Sequence, residues 1–390
     1  MIGDRTIVLL SLSQFLCWGI SYYMIGVFGP AIAADTGWAL TLVYSGFSGA
    51  LVVMGLVSGI VGDMIDKHGG RAVMTTGSGL MAVAFVGLGL SESLLLYDVS
   101  WALLGIAMRM TLYEAAFATL ARAGGAGARR SISKVTLLGG LSSAAFWPVG
   151  DALVASVGWR HALFVYALLA LVGMALHWML PSGNQRDVAA QAEIGAERAC
   201  RPRIWPAAFL FTVMSTLSAF INSGLSAHML GIFSGLGLAA GTVVIVSSLR
   251  GIGQSLARLW EVAFGGKMSS FRLGVIAAAG LPLAFAIGLA WGGHSLGAAA
   301  FALTYGLSIG LFTIVRGVQP LQLFDPSAYG RLSGWMLAPA FFASALAPLL
   351  YAGIIESQGS GAALRFSLIL AFGTFISAVL ISQLYGQEAQ

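Results

Sequence analysis

Arg109 and Arg250 each fall near the centre of an otherwise apolar run, at about 98–121 and 238–262. An arginine at the middle of a bilayer-crossing helix costs about 2.5–3.5 kcal/mol on insertion scales, so each should face a wet cavity or a partner. A guanidinium holds a carboxylate through two parallel hydrogen bonds, and the chemistry such residues offer is anion binding. At about 100° per residue, Ser247, Arg250, Gln254, Arg258 and Glu261 fall within an arc of about 80°, a polar stripe that reads as a cavity lining. Arg258 and Glu261, one turn apart, are expected to pair with each other. Arg250 has no carboxylate within a turn. It either binds an anion or ties helices together through carbonyls or Glu114. Tyr113 should lie one turn below Arg109 on nearly the same face, with Glu114 turned some 140° away and paired elsewhere.

Three further runs carry polar stripes: Ser11, Gln14, Trp18, Ser21 and Tyr22; Thr212, Ser215 and Asn222; Tyr305, Ser308 and Arg316. Single serines and threonines serve helix packing in lipid. Trp18, Tyr22, Asn222 and Tyr305 are bulkier polar groups with hydrogen bonds to satisfy, and read as cavity residues. His177, His228 and His294 lie at or near run ends without metal-ligand spacing, and are expected at the interface. Cys17 sits in an apolar run and Cys200 in a polar one, so no disulfide framework or metal cluster is encoded. No phosphate-binding lysine loop, nucleophile triad or paired catalytic carboxylates occur. The chain therefore reads as a non-enzyme without cofactor or metal.

These residues must be positioned by membrane helices. Of 390 residues 58% are hydrophobic and 9% charged, against about 25% charged in soluble domains. Apolar runs and charge punctuation predict helices at about 6–33, 40–63, 71–91, 98–121, 132–155, 160–181, 204–229, 238–262, 271–292, 297–318, 331–354 and 363–385. The run from Thr6 to Ala33 exceeds a signal-peptide core of about 7–15 residues and reads as a retained span. With the N-terminus inside, fifteen basic residues fall in inner loops, two in outer loops and three within spans. The net charge of +5 thus follows the positive-inside rule and not a nucleic-acid surface. The polar stretch 182–203 divides the chain into bundles 1–181 and 204–390. Gly62-x-x-x-Asp66 and Gly70-Arg71 echo as Ala257-x-x-x-Glu261 and Gly266-Lys267, a weak internal repeat. Such paired halves place a substrate site at their interface near the midplane. Pro148, Pro339 and Pro348 are candidate bending points.

The decapeptide Gly62-Asp-Met-Ile-Asp66-Lys67-His-Gly69-Gly-Arg71, in the second inner loop, resembles the G-x-x-x-D-[RK]-x-G-x-R signature of the major facilitator superfamily. The resemblance implies an all-α membrane protein with twelve transmembrane helices in two pseudo-symmetric six-helix bundles, working by alternating access, with spans 1, 4, 7 and 10 around the cavity. It assigns gating to Gly62, Asp66, Lys67, Gly69 and Arg71, and Arg258 and Glu261 look like gate elements near the same end. Arg109 is similar to the fourth-span arginine of proton-coupled members. Here Tyr113 and Glu114 replace the glutamine-glycine pair that usually follows, leaving Glu114 as the proton-coupling candidate. Gly158-Trp159-Arg160, and Arg316-Gly317 through Pro320-Leu321 to Tyr329-Gly330, are similar to the bacterial monocarboxylate-transporter-like branch.

The expected function is secondary transport of a small organic anion such as a carboxylate, with Arg109, Arg250, Tyr22, Trp18, Tyr113, Asn222, Gln254 and Tyr305 around it. The alternatives are a proton-coupled drug or metabolite exporter and a transporter-like sensor or scaffold that moves nothing. The expected setting is a bacterial inner membrane, as a monomer with both termini cytoplasmic.

Overall fold

The computed structural model describes residues 2–124, 128–181, 204–264, 268–323 and 329–385. The stretch 182–203 with Cys200, as well as Gly266 and Lys267 of the repeat, lies outside the described residues. Among the described residues there are helices and no strands: α1 (Asp4–Ile20), α2 (Ile25–Thr36), α3 (Leu40–His68), α4 (Gly70–Gly89), α5 (Leu94–Thr111), α6 (Tyr113–Gly124) and α7 (Arg129–Gly139) come first. They are followed by α8 (Ser142–Trp178), α9 (Ile204–Gly235), α10 (Ala240–Phe264), α11 (Ser270–Trp291), α12 (Ser295–Leu323), α13 (Tyr329–Gln358) and α14 (Ser360–Tyr385). Ten segments of the described residues are long and apolar enough to cross a membrane. The 50-residue segment Arg129–Trp178 is two crossings joined at Gly158, whose φ of 77° and ψ of 159° break α8. The remaining crossing, α10, has its hydropathy lowered by Arg250, Gln254 and Arg258.

Two spans expected to be continuous are interrupted where the cavity lies. The first breaks over residues 21–24, where the Tyr23 N–H reaches back to the Trp18 carbonyl at 3.3 Å. That ring is one residue wider than an α-helical turn, and it collects Trp18, Tyr22 and Tyr23 at one level. The fourth breaks at Leu112, which is extended at ψ −170°. Helical periodicity cannot be carried from Arg109 across this residue, so Tyr113 does not lie on the Arg109 face as the sequence reading expected. At Gly69, φ is 85°, a conformation L side chains rarely adopt. This glycine alone joins α3 to α4, and the hydrogen side chain of Gly70 admits Thr119 against the backbone.

Packing sorts the helices into two halves. In the first, α4 packs on α5 and α8, and α1 on α7 and α8. In the second, α12 packs on α10 and α11, and α9 on α13 and α14. The halves meet along α3 with α13, and α7 with α10. Pro148 of α8, Pro282 of α11, Pro320 of α12, and Pro339 and Pro348 of α13 all lie within helices. Pro348 has no N–H to give the Ser344 carbonyl, which instead accepts from Ser223 Oγ of α9 at 2.8 Å. Leu56, Ile60, Leu168, Ile245 and Ile369 point outward and are each more than three-fifths exposed. An apolar exterior around buried arginines is the inverse of a soluble protein, and suits a hydrocarbon solvent.

Candidate functional site

A cavity of about 700 Å³, part of it continuous with solvent, lies between the halves. The end of α1 contributes Trp18, the α1–α2 break Tyr23, the start of α6 Tyr113, Glu114 and Phe117, and α9 Ser218, Ala219 and Asn222. Gln254 and Arg258 of α10, Thr313 and Arg316 of α12, and Ser333 and Leu337 of α13 complete the polar lobe. A smaller lobe sharing Trp18, Glu114, Ala219, Asn222 and Arg316 is more apolar, with Leu51 and Met54 of α3 and Ala340 and Phe341 of α13. Trp18 stacks obliquely on Tyr22 at 5.0 Å and on Tyr113 at 4.9 Å between centroids, which fixes its indole between the lobes.

The charges are unequal. Arg316 Nη2 donates to Glu114 Oε1 at 2.8 Å, an ion pair that joins the two halves. Arg258 Nη1 donates to the Thr136 carbonyl at 2.6 Å and to Tyr113 Oη at 3.2 Å, while its Nη2 donates to Thr313 Oγ1 at 3.1 Å. Arg250 Nη2 donates to Asn222 Oδ1 at 2.7 Å and Ser226 Oγ at 2.9 Å, and its guanidinium lies 5.5 Å from the Tyr305 ring centroid. Buried donors without a protein partner remain on Trp18 (Nε1), Arg250 (Nε, Nη1), Gln254 (Nε2), Arg258 (Nε) and Arg316 (Nε). The matching buried carboxylate oxygen is Glu114 Oε2. Among the described residues, two guanidinium groups, Arg258 and Arg316, therefore line the cavity with one carboxylate, and a third, Arg250, stands behind Asn222.

Several expectations need correction. Glu114 pairs with Arg316 and not with Arg250, because the break at Leu112 turns it toward α12. Arg258 and Glu261 do not pair with each other. Arg258 reaches across to α7, and Glu261 takes Arg129 Nη2 at 3.4 Å. Cross-half partners win because the side chains of α10 point into α7 at this level. Arg109 belongs to neither lobe: its Nε donates to Ser58 Oγ at 2.9 Å and its Nη2 to the Ser58 carbonyl at 3.0 Å. Ser58 Oγ in turn donates to the Gly334 carbonyl of α13 at 3.0 Å, so the arginine supports the α3–α13 contact. His177 is fully buried beside Ser78, with Nδ1 and Oγ 2.9 Å apart, and is no interfacial residue. His228 is part-buried, with Nε2 donating to the Pro348 carbonyl at 2.8 Å.

Of the sequence-assigned binding residues, Trp18, Tyr22, Tyr113, Asn222 and Gln254 line the lobes, and Arg250 with Tyr305 stands behind Asn222. In the sequence Arg316 stands out only as part of a stripe with Tyr305 and Ser308. Its signal in the sequence is a third arginine inside a span, beside Arg109 and Arg250. In the Gly62–Arg71 turn, Gly62 is buried in α3, Lys67 pairs with Asp63 at 2.6 Å in the open, and Arg71 lies over Trp178 at 4.5 Å. The Ile65 and Asp66 carbonyls accept from Arg122 Nη1.

Contacts between the halves occur on both sides of the cavity. At the end carrying the Gly62–Arg71 turn, here termed the basic end, Arg129 bonds Glu261 and the Met268 carbonyl, the latter at 2.8 Å. At the opposite end Tyr44 of α3 stacks on His228 of α9 with centroids 6.2 Å apart, and His228 stacks on Tyr351.

The family model of the major facilitator superfamily matches residues 10–348. The chain belongs to the major facilitator superfamily. Its twelve crossings accordingly form the two bundles of that fold, and the protein is a membrane transporter and not an enzyme. No curated protein matches the chain by sequence. Among solved structures it resembles the human organic anion transporter MFSD10 at a TM-score of 0.72 and 15% identity, covering 96% of this chain and 99% of that one. The proton:xylose symporter XylE bound to 6-bromo-6-deoxy-D-glucose superposes at a TM-score of 0.75 and 14% identity, with 98% and 96% covered. The E. coli fucose:proton symporter FucP gives 0.69 and 14%, with 96% and 98% covered. At these identities the likeness is one of fold.

Proposed function

We propose that this superfamily member carries a small organic anion, such as a carboxylate, by alternating access. The observation that carries the reading is a charge imbalance among the described residues: Arg258 and Arg316 on the cavity wall and Arg250 behind Asn222, each with an unpartnered buried N–H, against Glu114 as the single carboxylate of that wall. Buried donors need acceptors and buried cations need counter-charge. An anionic substrate supplies both, whereas a sugar supplies no charge and a cation would add to the excess. Phe341, Leu51 and Met54 leave space for an apolar part of the substrate beside the charged lobe. That one solved neighbour is described as an organic anion transporter agrees with this assignment without carrying it.

The basic end is placed at the cytoplasm by the positive-inside rule, with both termini there, and 182–203 linking bundles 1–181 and 204–390. Asp66, Lys67, Arg71, Arg258 and Glu261 are assigned to closure of that end. Kinship with the bacterial monocarboxylate-transporter-like branch, a bacterial inner membrane and a monomeric state complete the reading, and rest on the sequence segments given above. Purified protein in liposomes should exchange labelled lactate, pyruvate or gluconate at least tenfold faster than protein-free vesicles, and Arg316→Gln should lose most of that rate. Uptake of xylose or of a cationic dye with none of the carboxylates would overturn the assignment.

A further inference from the structure

Asn222 of α9 lines both lobes of the cavity, and its side-chain amide can be oriented in only one way. Arg250 Nη2 donates to one end of that amide at 2.7 Å, and a guanidinium has no acceptor to offer. The end facing Arg250 is therefore the oxygen Oδ1, and the other end is the donor Nδ2. Ser226 Oγ takes the same Nη2 at 2.9 Å and donates to the Asn222 backbone carbonyl at 2.6 Å, which completes the brace. Among the described residues Nδ2 has no protein partner. Arg250 itself is fully buried, with its guanidinium 5.5 Å from the Tyr305 ring centroid and 6.0 Å from that of Tyr23. Its charge is felt in the cavity through an amide whose carbonyl it polarises, and a polarised amide is the better donor.

The waist shared by the two lobes is formed by Asn222 with Trp18, Glu114, Ala219 and Arg316. Trp18 Nε1 is a buried donor without a protein partner, and an indole N–H cannot accept. Glu114 is the acceptor there, and its charge is already set against Arg316 at 2.8 Å. A carboxylate bound to Arg316 thus has Asn222 Nδ2 and Trp18 Nε1 as neighbours at the waist, with Leu51, Met54 and Phe341 beyond them. An oxygen acceptor close to that carboxylate satisfies the donors, whereas a hydrogen in its place leaves them unpaired. An ammonium there adds three more donors and cancels the negative charge that the arginines lack.

We propose that Arg250 is a positioning residue that holds Asn222 as a donor, and that the waist selects anions with an oxo or hydroxyl oxygen on the carbon next to the carboxylate and an apolar chain beyond it, against the matching 2-amino acids. The proposal rests on the anion reading above. Arginines, then amide and indole donors, then apolar side chains follow one another along the cavity in the order of carboxylate, oxygen and chain in such a molecule. The selection includes a repulsive element, because turning the amide to accept from an ammonium would set Nδ2 against the donors of Arg250.

The test uses the full chain in liposomes, with labelled 4-methyl-2-oxopentanoate and labelled pyruvate as tracers and protein-free vesicles as baseline. Unlabelled 4-methyl-2-oxopentanoate, 4-methylpentanoate and leucine, which differ only in the group next to the carboxylate, compete with the tracer. In the wild type the oxo acid should compete at a concentration about tenfold below 4-methylpentanoate and about a hundredfold below leucine. Asn222→Ala should shrink the first ratio to about threefold or less, while 4-methylpentanoate keeps its potency within about threefold. Arg250→Gln, whose amide can turn either end to Asn222, should shrink the ratio likewise, whereas Arg250→Lys, which only donates, should keep it. Loosened packing alone would weaken all three competitors together and leave the ratio unmoved. For a folded variant that exchanges no tracer, the same ratio is read from ligand-induced shifts of the melting temperature. Equal competition by the oxo and unsubstituted acids in the wild type overturns the proposal, as does an unchanged ratio in Asn222→Ala or Arg250→Gln. So does leucine as the strongest competitor, its ammonium on Glu114. A ratio lost in Arg250→Lys as fully as in Arg250→Gln would place Arg250 on the carboxylate itself and overturn the positioning role. In each of these cases exchange of either tracer keeps the anion reading. Exchange by the wild type of neither tracer, nor of lactate or gluconate, refutes the anion reading and this proposal with it.

Discussion

Replacing Arg258 with glutamine should open the basic end of the transporter. Two of its hydrogen bonds cross between halves, to the Thr136 carbonyl at 2.6 Å and to Tyr113 Oη at 3.2 Å, while the third, to Thr313, stays within the second half. Side-chain hydrogen bonds between membrane helices contribute about 0.6 kcal/mol on average and about 1.7 at most. Two such bonds bias the closed state by about 1–3 kcal/mol, and every 1.4 kcal/mol is tenfold, so the closed-to-open ratio should fall about ten- to a hundredfold. Tyr113→Phe removes one cross-half partner and should shift the ratio about threefold by the same arithmetic. The reporter is Leu337→Cys, a buried position on the cavity wall, probed with an impermeant maleimide in inside-out and right-side-out vesicles. Arg258→Gln should speed labelling from the basic side and slow it from the other, because the two access states share one population. Faster labelling from both sides would mean a leak through a damaged helix packing, and unchanged labelling would mean that these bonds do not hold the gate. Either result refutes the reasoning.

Gly306→Ala should lower the detergent melting temperature measurably, because overpacking costs about 1–3 kcal/mol and the obstacle is the backbone of Arg250. Gly49→Ala, with nothing within 4 Å of the new methyl, should leave it unchanged or raise it. Arg109→Lys should destabilise the protein by about 1–2 kcal/mol in a thermal-shift assay, since lysine lacks the fork that spans Ser58 Oγ and its carbonyl. A change in substrate affinity with unaltered stability would instead return Arg109 to the binding site. In intact cells, Glu92→Cys should react with an impermeant maleimide and Lys67→Cys should not. The reverse pattern would invert the topology.

Composition and hydropathy by themselves determined that the chain lives in a bilayer and crosses it twelve times, because twenty-residue apolar runs separated by basic loops have few other solutions. The Gly62–Arg71 turn and its echo near Glu261 make the two-bundle arrangement legible in the sequence. The stripe on α10 also identified Arg250, Gln254 and Arg258 as inward-facing residues, since a continuous helix fixes relative azimuth. What the tertiary structure decided was the pairing of charges. Glu114 and Arg316 are 202 residues apart, and no local rule relates such positions. The azimuth of Glu114 itself depends on one extended residue, Leu112, which resets the helical phase below Arg109. Arg109 and Arg250 are alike in sequence, each an arginine in mid-span. Only packing separates them: Arg109 meets Ser58 at the α3–α13 seam, whereas Arg250 meets Asn222 at the cavity wall. In an apolar solvent every buried charge must find a partner, and which one it finds is set by how the helices close on one another.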